Sequence, residues 1–156
     1  MSKQGIIGVE IVNLDEIFAL VDELQNVDKN KSIKAGLRKA GRVFVSGGKR
    51  RLRERLIPGR TRTGNLMRSF TIRVKRHKLG ALAGFKQAKF RGDVTAGNHA
   101  HLVDRGTVER YTKDGRYRGV MPANYFWDDT YMIDSGQALN ELKKGIMEAV
   151  NKLQNG

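Results

Sequence analysis

The chain has no cysteine among its 156 residues. Disulfides, thiolate metal sites and a cysteine nucleophile are therefore excluded, and the composition fits maturation in a reducing cytoplasm. No apolar run approaches the ~18 residues of a membrane span. The N-terminus lacks a charged-then-apolar leader, so the expectation is a chain soluble and cytoplasmic at birth, with no membrane partner. Neither a Gly-x-x-x-x-Gly-Lys-Ser/Thr loop nor a Gly-x-Gly-x-x-Gly turn is present, which leaves no cradle for a nucleotide phosphate. No serine stands in a nucleophile-elbow setting. Acid is scarce in one region: residues 31–78 hold 17 Lys/Arg against the single acid Glu54, while the remainder holds 13 basic and 15 acidic residues.

That asymmetry makes one half of the chain a cation and leaves the other nearly neutral. A field of one sign steers and holds phosphate or carboxylate, so the partner implied is a polyanion or an acidic protein surface. The plainer alternative is a solvated basic face that only keeps the chain in solution. With 39% hydrophobic residues the 156 residues are expected to form one domain with an ordinary core.

Short β-branched residues over 5–12 predict a first strand. Asn13 and Glu16 form a capping-box-like start for a short amphipathic helix through Leu24. From Asn30 to Ile57, Ile33, Leu37, Ala40, Phe44, Leu52 and Leu56 recur at three- and four-residue steps and predict the longest helix, with a break at Gly47-Gly48. Pro58-Gly59 stops it, Gly64-Asn65 is a turn signal, and side chains alternate from Leu66 to about residue 76 as in a strand. On that strand Phe70, Ile72 and Val74 face the core, and Ser69, Thr71, Arg73 and Lys75 face water. Residues 81–90 and 93–96 supply two further strands. Residues 97–107 form a strand end or a short helical turn closed by glycine. Residues 108–120 read as a mobile loop. A last helix over 123–153 is marked by Phe126, Tyr131, Leu139, Leu142, Ile146, Val150 and Leu153, with an interruption at Ser135-Gly136. The fold class expected is α+β: a small antiparallel sheet packed against a long central helix and a C-terminal helix.

Candidate chemistry is sparse. His99-x-His101 with Asp104 offers metal-ligand types, but no second shell or general base stands nearby. Asp128 and Asp129 are adjacent, so on a helix they diverge; acid at a helix N-terminus accounts for them better than an acid/base couple. Tyr125, Phe126, Trp127 and Tyr131 fall at helical spacing and are assigned to core or subunit interface. The chain is thus expected to carry no catalytic residues, metal or cofactor. Arg50, Arg51, Arg53, Arg60 and Arg62 are the candidates for contact with a subunit interface or with DNA.

Three landmarks occur in an order that carries a resemblance. They are Arg62-Thr63-Gly64-Asn65-Leu66-Met67-Arg68-Ser69, then His99-Ala100-His101-Leu102-Val103-Asp104-Arg105-Gly106-Thr107, then Met121-Pro122-Ala123 to Phe126 leading into the last helix. Together they resemble the neck or tail-completion proteins of long-tailed, lambda-like bacteriophages, over about residues 14–153. Arg62, Thr63, Gly64, Leu66, Ser69, Ala100, Val103, Asp104, Gly106, Thr107, Pro122 and Phe126 match its motif positions. Histidines stand where that family has aromatics in the second landmark, and a longer loop separates Thr107 from Pro122.

The resemblance implies a non-enzymatic virion protein, present in the host cytoplasm during assembly. It would form a ring of six or twelve copies at the head-tail junction. Its partners would be copies of itself, the head-closure or connector protein, and the tail-tube or tail-terminator protein, with genome DNA in the channel. Two other functions use the same residues: a free-standing basic module that binds nucleic acid without sequence preference, and a hydrolase built on a His-Asp site. The first needs no ring, and the second needs a pocket.

Overall fold

The computed structural model describes residues 7–9, 15, 19, 21–22, 26–56, 64–87 and 97–155. Two 29-residue helices dominate it: α1 (Asn26–Glu54) and, at the end of the chain, α4 (Phe126–Gln154). Between them lie two short helices, α2 (Asn65–Ser69) and α3 (Ala100–Arg105). A three-stranded antiparallel sheet is formed by β1 (Ile7–Val9), β2 (Phe70–Val74) and β3 (Ala81–Phe85), with β3 in the centre. A separate hairpin pairs β4 (Arg110–Tyr111) with β5 (Tyr117–Gly119). The fold is therefore α+β, with the small sheet packed against the long central helix and the C-terminal helix beside it.

The helical stripe of α1 forms the core as its spacing predicts. Ile33, Leu37, Ala40, Phe44 and Leu52 are all buried, each larger side chain contributing roughly 1.5–3 kcal/mol of transfer free energy. They meet Phe126, Ala138, Leu142, Ile146 and Val150 of α4, and the sheet closes the third side with Phe70, Ala81 and Ala83. Phe70, Phe85, Phe126 and Trp127 form one aromatic cluster with ring centroids 4.6–6.4 Å apart. The two helices run antiparallel and approach to backbone contact. A Cβ on Gly36 would lie 2.5 Å from the Leu142 carbonyl oxygen, and one on Gly145 would lie 2.8 Å from Gly36 Cα.

Several sequence expectations are corrected. α1 begins at Asn26 and runs unbroken through Gly47-Gly48, because side chains of α4 and the sheet occupy the space those glycines leave. The residues from Asn65 to Ser69 are a helical turn, and the strand starts only at Phe70. Gly64 at φ 69° caps that turn, and Ser69 is fully buried instead of facing water. Its hydroxyl donates to the Leu66 carbonyl at 2.7 Å, while its own carbonyl accepts from the Lys86 amide at 2.8 Å. Local side-chain bonding of this kind competes with extended backbone, which is why the alternating pattern misplaced the start of the strand.

Residues 108–120 contain the β4–β5 hairpin instead of an irregular loop. α4 passes through Ser135-Gly136 without interruption. Its buried face comprises Thr130, Asp134 and Ala138 along with the apolar residues, whereas Tyr131, Leu139 and Leu153 are exposed. Of the first strand expected over 5–12, Ile7–Val9 are strand and the rest lies outside the described residues; of that expected over 81–90, Ala81–Phe85 are strand and residues 88–90 lie outside the described residues. Of the helix expected over 13–24, Asp15, Ala19 and Val21 are helical and Val21 is fully buried. Residues 93–96 lie outside the described residues, as do Pro58, Gly59, Arg60, Arg62 and Thr63.

Candidate functional site

Arg60 and Arg62 lie outside the described residues, and the other three candidate arginines, Arg50, Arg51 and Arg53, do not form one surface. Arg51 is buried, and its guanidinium donates from Nη1 and Nη2 to the two carboxylate oxygens of Asp134 at 2.6 and 2.8 Å. Nη1 also donates to Thr130 Oγ1 at 3.1 Å, and that hydroxyl in turn donates to the Phe126 carbonyl at 2.6 Å. The hydrogen bond to Asp134 raises the Arg51 pKa further above its ordinary value against the cost of burial, so the guanidinium stays charged. Arg51 is therefore withdrawn from the candidates for contact with DNA or another subunit. The fork that suits a phosphate is filled by a carboxylate of the same chain. Gly47 makes this possible, since a Cβ there would collide with the Asp134 carboxylate.

Arg55 repeats the pattern nearer the surface. It pairs with Asp129 at 2.6 Å, donates to the Asn124 carbonyl at 2.8 Å, and its own carbonyl accepts from the Asn124 side-chain amide at 3.2 Å. Arg105 lies 3.7 Å from Asp128. The acids in the first turn of α4 thus draw in arginines from just past the end of α1 and from α3, besides favouring the helix N-terminus. Arg50 and Arg53 remain exposed and form no ion pair among the described residues. With the exposed Arg38 and Arg42, they leave the outer side of α1 basic.

The second landmark proves to be a latch. Asp104 is buried, and its Oδ1 accepts from the Trp127 amide at 2.7 Å. Its carbonyl accepts from the amides of Asn124 and Tyr125 at 2.9 and 2.7 Å. A side chain 23 positions upstream thereby satisfies an amide at the start of α4 that a local cap would usually satisfy. The same bonds hold Tyr125 at φ 54°, a left-handed conformation unusual for a side chain of that size. Burial pushes the Asp104 pKa up, opposed by the hydrogen bond from Trp127. Ala100 is buried, and Val103 packs against the core.

Gly106 and Thr107 then clamp the base of the hairpin. Gly106 has φ 76°, and a Cβ there would sit 2.6 Å from the Met121 carbonyl oxygen. The Thr107 amide donates to that carbonyl at 2.9 Å, and the Met121 amide donates back to Thr107 Oγ1 at 2.9 Å. Pro122 is exposed just beyond the clamp, and Phe126 is fully buried. Leu66 packs on the core from α2. The described landmark positions are therefore joints of the fold: Gly64 and Ser69 shape the entry to β2, Asp104 sets the start of α4, and Gly106-Thr107 hold the hairpin.

His99 and His101 lie on or beside α3, not on a strand, and both are exposed. His101 and Asp104 line one cavity of about 20 Å³ with Phe85, Trp127 and Asp128, room for about one water molecule. No group of three His, Cys, Asp or Glu side chains among the described residues is placed to hold a metal ion. No helix among them is long and apolar enough to cross a membrane.

Sequence reasoning missed Asp134, Thr130 and Arg55, and the burial of Arg51, although the Arg51–Asp134 pair left a trace. Arg51 continues the seven-residue step of Leu37 and Phe44, and Asp134 stands seven residues after Trp127, so each is a charge on an apolar stripe. Two opposite charges on two facing stripes are a signal for a buried pair. Comparison with protein-family models, curated proteins and solved structures finds no match.

Proposed function

We propose that the chain is a structural subunit of a tailed-bacteriophage virion, forming a ring at the head-tail junction that joins connector to tail. The observation that carries this proposal is that the described landmark residues, in their order along the chain, are the joints that fix β2, α4 and the hairpin. A motif whose members are joints belongs to a shared framework and not to a reaction centre. A ring subunit also needs two unlike surfaces that meet head-to-tail. Two are available: the basic outer side of α1, with Arg38, Arg42, Arg50 and Arg53, and the outer side of α4, where Met132, Ile133 and Leu139 are exposed.

Deleting the gene from the phage that encodes it tests the proposal. The expected outcome is filled heads and finished tails that fail to join, restored by supplying the chain in trans. Normal, joined particles from the deletion would overturn it. The exposed, unpaired Arg50 and Arg53 also suit a free-standing nucleic-acid-binding module. That module predicts salt-dependent DNA binding by a monomer and no defect in joining.

A further inference from the structure

The β4–β5 hairpin is an arm: it packs mainly on itself, and it is fixed at its base by the Thr107–Met121 pair. Its tip is a tight turn in which the Gly115 amide donates to the Thr112 carbonyl at 3.0 Å, with Gly115 at φ 75°. The Arg116 amide donates to Thr112 Oγ1 at 2.9 Å, and the Thr112 amide donates to the Arg116 carbonyl at 2.9 Å. Tyr111 and Tyr117 face each other across the ladder with ring centroids 5.5 Å apart, although both are 57% exposed. Tyr111 also donates from its hydroxyl to Glu109 at 2.8 Å. A cross-strand aromatic pair stiffens a ribbon too short to be stable by its backbone bonds alone.

Arg116 and Arg118 flank Tyr117 in the chain, Arg116 at the tip and Arg118 within β5. Arg110 precedes Tyr111 and pairs with Gly119, and because Tyr111 pairs with Tyr117, Arg118 is the extra residue of a bulge, which bends the ribbon where the arginines gather. All three are exposed, and none forms an ion pair among the described residues. We propose that this stiffened hairpin is a contact arm for the phosphodiester backbone of duplex nucleic acid, held by Arg110, Arg116 and Arg118.

The chemistry favours that occupant in two ways. A two-stranded ribbon has the width a duplex major groove admits. The tyrosine rings are engaged with each other, which leaves them poorly placed to take an unstacked base between them and argues against a single strand. The inference stands on the hairpin's own geometry and does not depend on the virion assignment. The two fail separately, because one is read on the purified chain and the other on particles.

Fluorescence anisotropy of the full chain with a short mixed-sequence duplex, over a range of salt, tests it. Replacing Arg110, Arg116 and Arg118 together by alanine should make the slope of log K against log salt shallower by about 2–3, as expected for three lost phosphate contacts. An equal charge removal from α1, with Arg38, Arg42 and Arg53 replaced by alanine, should change the slope clearly less. Equal changes from the two triple variants would overturn the proposal by making the attraction a property of total charge. A hairpin variant that binds duplex like the parent but loses self-association would assign the arm to a protein interface, also overturning it. Tighter binding to oligo-dT than to duplex, abolished by Tyr111→Ser with Tyr117→Ser, would make the arm a stacking site and contradict the duplex assignment.

Discussion

Arg51 of α1 and Asp134 of α4 form a two-pronged ion pair in the interior, 83 residues apart in sequence, with both side chains only 6% exposed. It stands where the apolar stripes of the two helices would otherwise meet, and Thr130 completes its hydrogen bonding. Such a pair is a weak source of net stability against an apolar replacement, yet costly to break from one side, because the remaining charge is left buried and alone.

Arg51→Ala is therefore expected to destabilise the fold by about 3–5 kcal/mol, and Arg50→Ala, one residue away and exposed, by less than about 0.5 kcal/mol. Urea unfolding of the two variants checks this. Equal midpoints would contradict the buried pair. Replacing both partners, with Arg51→Met and Asp134→Leu, should cost much less than Arg51→Ala alone.

Gly47→Ala separates helix propensity from packing. In an exposed helix the change would add up to about 1 kcal/mol of stability. Here the new methyl meets the Asp134 carboxylate, so a net loss of about 1–3 kcal/mol is expected, as for other overpacked sites. Gly136→Ala, with open space around its Cβ position, should stabilise. The opposite signs of the two variants, read by thermal unfolding, form the check.

Asp104 gives a pH dependence of unusual sign. Its folded-state pKa is raised by burial, so the folded chain binds that proton more tightly than the unfolded chain. The corresponding stabilisation is complete below the ordinary carboxyl pKa and fades as pH rises through the raised value. Asp104→Asn keeps an oxygen to accept from Trp127 and removes the titration. The variant should lose this component of the stability profile and show its largest gain over the parent at neutral pH. A difference between the two that is flat across the acid range would contradict the assignment.

Thr107→Val removes the acceptor for the Met121 amide while preserving size, at a cost of about 1 kcal/mol. Hydrogen exchange should speed up at Thr112, Gly115 and Arg116 with little change in α1 or α4. Exchange that rises equally everywhere would mean that the clamp is not local to the hairpin.

The long helices and the class of fold were legible because apolar residues at three- and four-residue steps leave few ways to bury them. What was illegible depended on partners distant in sequence. Gly47 and Gly48 read as a break because helix propensity is local, while the carboxylate and aromatic rings that need their space come from residues far along the chain. Arg51 read as surface because a cationic run usually is surface. Only its coincidence with the Leu37–Phe44 step, matched by Asp134 on α4, marks it as buried. Asp104 and Thr107 were picked out by pattern, but their roles as latch and clamp required knowing where α4 begins.

The central proposal, that this chain is a ring subunit at the head-tail junction of a tailed phage, is tested most directly by cryo-electron microscopy of the virions assembled from the genome that carries its gene. The account predicts a ring between connector and tail whose repeating density accommodates antiparallel α1 and α4 beside the three-stranded sheet. Particles whose junction is fully accounted for by other chains, with this protein absent from the purified virion, would contradict it.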